Sequence, residues 1–92
     1  MHNLKHQFVL QVFLRRKLRR GGLDSTQAKA VREVLADDDL SSAVALETQE
    51  LFGRETGSIM EFLEWLLANA DTIIALIVKI IDLFSQQEPV NA

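Results

Sequence analysis

The chain has no cysteine and no tyrosine, one proline, four glycines and one tryptophan in 92 residues. The lack of cysteine excludes disulfides, thiolate nucleophiles and cysteine-ligated zinc together. The lone proline, Pro89, lies in the carboxyl-terminal tail, so nothing of that kind interrupts a helical reading of residues 3–85. The glycines, at 21, 22, 53 and 57, all fall between apolar-periodic segments, where helix ends place them. Histidine is also scarce: His2 and His6 are the only two, four apart, with no nearby acid or third ligand to complete a metal site, and both read as surface residues. No Gly-rich phosphate loop, nucleophile elbow or paired-glycine fingerprint occurs. Asp37-Asp38-Asp39 lacks the alternating oxygen ligands, central glycine and closing glutamate of a calcium loop. Glu61 and Glu64 share a helical face but read as ordinary surface acids. The expectation is a protein with no enzymatic activity, catalytic residues, metal, cofactor or small-molecule substrate.

What the chain has in quantity is apolar side chains, 48 % of the sequence, alongside 25 % charged residues. That balance excludes wholesale disorder. A single domain of this size buries roughly 60–65 % of its unfolded surface when it folds alone. The net charge of −3 hides an asymmetry: residues 1–23 carry six Lys or Arg and no acid, whereas residues 24–92 carry thirteen acids against four bases. Such a charge dipole favours head-to-tail contacts or a basic end facing an anionic partner; the basic end also serves to neutralise acids within one assembly. No secretory signal is evident, since the basic cluster follows the first apolar run and no small-residue cleavage site comes next. An intracellular location, or one inside a large assembly, is favoured.

The expected fold is all-α with about four helices: a short helical hairpin plus one long carboxyl-terminal helix that packs in a multi-helix, inter-chain bundle. Residues 1–22 read as a basic, strongly apolar helix in which Phe8 to Leu14 spread apolar groups all round the wheel, as in a helix enclosed on several sides. Cations in its last turn complement the helix dipole, and Gly21 supplies a left-handed cap. Residues 23–57 read as the hairpin and a loop. Its first helix opens on an Asp24/Gln27 capping box and buries Ala28, Val31, Val34 and Leu35. The acids 37–39 suit the amino terminus of the second, about Leu40 to Phe52, which buries Leu40, Val44, Leu51 and Phe52 and stops at Gly53. Ser58 and Glu61 form a second capping box at the head of the long helix, residues 58–85. Residues 86–92 form a polar tail.

The long helix carries the strongest pattern. Ile59, Leu63, Leu66, Ala70, Ile73, Ile77, Ile80 and Phe84 alternate four and three residues apart, the 3.5-residue period of a coiled-coil seam. The rows Met60, Leu67, Ile74, Ile81 and Phe62, Asn69, Leu76, Leu83 run beside it, and Asn69 is their one polar member. Glu61, Glu64, Asp71, Lys79 and Asp82 occupy the remaining arc. An acid at the centre of a lone membrane span costs about 2.5–3.5 kcal/mol, which argues against a simple crossing by the stretch around Asp71. A face this wide needs two or more neighbouring helices. The expected oligomer or partner interface is Ile59, Phe62, Leu63, Leu66, Leu67, Asn69, Ile73, Ile74, Ile77, Ile80, Ile81 and Phe84, with Asn69 as a buried residue that sets register, or else at the edge of the face reaching water.

The candidate patch for an anionic partner is Arg15, Arg16, Lys17, Arg19 and Arg20. These cations suit phosphates or lipid headgroups, although the wheel spreads them around the helix and no aromatic residues interleave. The favoured function is therefore a structural or assembly protein that oligomerises or docks through its long helix, with a basic first helix for an anionic or protein partner. The alternatives are a membrane-active protein, holin-like or peripheral, and a nucleic-acid-associated packaging or accessory protein such as a minor virion component.

Overall fold

The computed structural model describes residues 4–53 and 58–86, with side chains to residue 85. His2, Gly57, the loop 54–57 and the tail 87–92 lie outside the described residues. Among the described residues five helices follow one another: α1 (Leu4–Arg20), α2 (Ser25–Ala36), α3 (Asp38–Phe52), α4 (Ile59–Ala68) and α5 (Ala70–Gln86). The Cα envelope measures 47 × 33 × 19 Å, about two helices thick.

The helix ends follow the sequence signals closely. Asp24 accepts the Gln27 backbone N–H at 2.8 Å while the Gln27 side chain accepts the Asp24 N–H at 3.1 Å. Ser58 and Glu61 repeat that exchange at the head of α4. Asp37 closes α2 with its own N–H on Val34 O and opens α3, its carboxylate accepting from Asp39 and Leu40 N–H. Hence the third helix starts at Asp38, earlier than the expected Leu40, and two of the three acids sit in its first turn. Gly53 ends α3 at φ +72°, the left-handed conformation that costs an L side chain most.

The expected unbroken helix over residues 58–85 is two helices, which makes five among the described residues. Asn69, at φ −114° and ψ 26°, caps α4: its N–H is shared between Leu66 O and Trp65 O, and its side-chain amide donates to Trp65 O at 2.8 Å. The ladder resumes with Ile73 N–H donating to Asn69 O. An Asn that bonds back to the carbonyl four residues earlier offers the backbone an alternative to the continuing helix, and tertiary packing selects it here. The break lets the two halves cover different partners. α4 packs on α1, whereas α5 packs chiefly on α2 and also on α3. A straight helix would hold one bearing along its length; two helices bear separately on α1 and on the α2–α3 hairpin.

The core is accordingly built within one chain. Val9, Leu10, Phe13 and Leu14 of α1 meet Ala30, Val31 and Val34 of α2, Val44 and Ala45 of α3, and Phe62, Leu66, Ile73, Ile74, Ile77 and Ile80 of α4 and α5. The first three helices thus cover much of the heptad face, more than their short apolar stripes suggested. Four aromatic rings close the α1–α3–α4 junction. His6 lies edge-on to Phe62 at 4.7 Å, Phe62 contacts Phe52 at 5.5 Å, and Trp65 stacks on Phe62 at 6.2 Å while meeting Phe52 at a tilt. His6 is therefore buried, not a surface residue as expected, and burial lowers its pKa below the ordinary 6.5. Desolvation disfavours the imidazolium, so the neutral ring is the core species.

The buried face of α3 also differs from expectation. It runs Ser41, Val44, Ala45, Thr48, and Leu51 is exposed. Two of those four residues are polar, but each hydroxyl is satisfied: Ser41 Oγ donates to Val34 O at 2.6 Å, and Thr48 Oγ1 donates to Ala45 O at 2.9 Å. Ser41 also accepts from Gln11 Nε2, which ties α3 to α1. A buried hydroxyl with a partner leaves no unsatisfied polar group in the core.

Candidate functional site

With the buried residues committed to the core, the exposed faces are the candidate functional surfaces. α1 buries one side and presents the other to solvent along its whole length. At about 100° per residue, Leu4, Phe8, Val12, Arg15, Arg16 and Arg19 fall on one continuous face together with Lys5, and Arg20 lies at its edge. All eight are exposed, with Leu4 at 69 % and Phe8 at 61 %. The face is divided along the axis: three apolar side chains occupy its amino-terminal half, arginines its carboxyl-terminal half, and no acid interrupts it. Val12, Arg15, Leu18 and Arg19 line a shallow open depression of about 500 Å³ where the halves meet.

The first helix packs against three neighbours, α2, α3 and α4, yet Phe8 and Val12 point away from the buried stripe of Val9, Leu10, Phe13 and Leu14. The cations of α1 are not wrapped evenly. Four of the five arginine and lysine residues in 15–20 are exposed, and Lys17 alone turns towards the half-buried flank. Phe8 and Val12 were the residues missed as surface; their spacing to Arg15 and Arg19, four, three and four residues, was the available signal.

The second exposed surface lies between α3 and α5. Ala43, Leu46 and Glu47 of α3 face Leu76, Lys79, Ile80, Leu83 and Phe84 of α5 across an apolar groove of about 390 Å³. Leu46 is 61 % exposed, and Leu83 and Phe84 are each just under half exposed. Glu47 is the acid of the α3 wall, and Asp39 and Glu50 lie on the same exposed face of α3 beyond the groove lining. No family model, curated protein or solved structure matches the chain. The surfaces must therefore be read from their own chemistry.

The residues expected at an interface divide by depth. Phe62, Leu66, Ile73, Ile74, Ile77 and Ile80 are buried inside the chain; Ile59, Leu63, Asn69 and Ile81 are half-buried; Leu67 and Phe84 are exposed. Of these, only Phe84 and Ile80 line the α3/α5 groove. Among the described residues, no group of three or more His, Asp or Glu could hold a metal ion, and no helix is long and apolar enough to cross a membrane.

Proposed function

We propose that this chain is a non-enzymatic helical docking protein that joins a larger assembly through surface faces of its folded domain. The exposed face of α1 carries this reading: Leu4, Phe8 and Val12 supply an apolar contact, and Arg15, Arg16, Arg19 and Arg20 demand a partner of negative charge. Aromatic and arginine side chains are the residues on which binding energy concentrates, and long-range attraction to cations speeds encounter. The face needs no unfolding to engage, unlike the buried heptad rows. The second reading is peripheral attachment to an anionic membrane, favoured by Phe8 standing beside the arginines on one helix face.

The test compares the native chain with a variant carrying glutamine at 15, 16, 19 and 20. Binding to heparin and to phosphatidylserine vesicles is measured, together with the mass of the chain itself, over a range of salt. The proposal expects at least one salt-sensitive association that the variant loses while its helical circular dichroism is unchanged. Identical behaviour of the two proteins in every arm would overturn it.

A further inference from the structure

We infer that the partner of the α1 face is the α3/α5 groove of a second copy of this chain, so that copies associate head to tail. The inference rests on the docking reading above and names its partner. Both surfaces are exposed on the same folded chain, so neither can satisfy the other within one molecule. Each supplies what the other lacks. The α1 face offers a protruding aromatic at Phe8, flanked by Leu4 and Val12, and the groove offers an apolar floor of Leu46, Leu76, Leu83 and Phe84. The α1 face is acid-free and strongly basic, while the groove carries Glu47 on its α3 side and Lys79 on its α5 side, with the exposed acids Asp39 and Glu50 on the same face of α3 as Glu47. Across the whole chain, six cations and no acid in residues 1–23 stand against thirteen acids and four bases in the remainder, the polarity a head-to-tail contact uses.

Pairing two different patches is heterologous, so it generates rings or open chains in place of a closed two-fold dimer. Mass is therefore expected to grow beyond the dimer as concentration rises, and to fall back towards 10.4 kDa as salt screens the charges.

Reciprocal charge reversal provides the test. One variant carries Arg15→Glu and Arg19→Glu; the other carries Glu47→Lys and Glu50→Lys. All four positions are exposed, and circular dichroism checks that each variant keeps its fold. Sedimentation velocity is expected to show association of the native chain. Each variant alone should associate more weakly by on the order of 100-fold, because like charges then face one another. An equimolar mixture should recover association, since every contact between unlike variants pairs opposite charges. Phe8→Ala is expected to weaken association without charge change or loss of helix. A native chain that stays monomeric at all concentrations yet binds phosphatidylserine vesicles or heparin overturns the self-pairing and leaves the docking reading intact. A monomer that binds none of these overturns both, and variants that associate like the native chain overturn the self-pairing.

Discussion

Replacing Ile77 with alanine, and comparing it with the same change at Leu67, separates a core built within one chain from a bundle built between chains. Both residues belong to the heptad rows of 59–84, and an inter-chain bundle packed along all the rows would bury them alike. In the folded chain they differ sharply: Ile77 is fully buried in the core on α5, which packs on α2 and α3, whereas Leu67 is 47 % exposed on α4. Truncating a buried Ile costs about 2–5 kcal/mol, from lost transfer energy and the cavity left behind. A chain of this length has a total stability of about 5–14 kcal/mol, so Ile77→Ala removes a large share of it. At roughly 4–8 °C per kcal/mol, a loss of about 3 kcal/mol lowers the melting midpoint by about 12–24 °C. Leu67→Ala should cost less than about 1 kcal/mol, close to the range of surface substitutions. The assay is thermal unfolding followed by helical circular dichroism and by Trp65 fluorescence, in about 0.5 M salt so that charge-dependent association is screened. Equal losses at the two positions, or a midpoint that climbs with protein concentration, would refute the reasoning.

Other expectations follow from the same contacts. Asn69→Leu removes the amide bond to Trp65 O and should lower the melting midpoint by about 0.5–1.5 kcal/mol equivalent; a seam position would instead have given a rise, so a higher midpoint would count against the capping role. Gly53→Ala places an L residue at φ +72° with its Cβ in ordinary contact with Glu50 O and Leu51 O at 4.0 Å, so the cost is conformational, about 1 kcal/mol in chemical denaturation. His6 has a lowered folded pKa, so the unfolded chain binds the proton more readily. Its contribution to stability is complete above the ordinary value of 6.5 and is lost as pH falls through the folded pKa. Denaturation midpoints measured from pH 7.5 down to 5 should therefore fall more steeply for the native chain than for His6→Phe, and parallel curves would exclude the effect.

Much of the local structure was legible because it depends on neighbours in sequence. The two capping boxes, the Gly53 stop and the role of Asp37 to Asp39 each involve residues within one turn, and each is found where the side-chain chemistry places it. The break at Asn69 was hidden for the opposite reason. A heptad row reports which residues want burial but not whether one partner or two supplies it, and the two halves of this face find different helices. The buried face of α3 was missed because Ser41 and Thr48 count as polar in any periodicity, although Val34 O and Ala45 O satisfy them. His6 was missed because a single histidine beside a lysine gives no sign of the aromatic cluster that receives it. The cationic site was visible as composition, whereas its one-sided display together with Phe8 depends on which side of α1 meets α2, α3 and α4.

The central claim is that the wide heptad face is covered by the chain's own helices and that association uses the folded surface. Mass determination without detergent, in high salt, with helical content recorded on the same sample, tests it most directly. The account predicts a helical particle of 10.4 kDa whose single tryptophan stays half-buried. An unfolded monomer, a salt-resistant oligomer, or a chain that becomes helical only in detergent would contradict it.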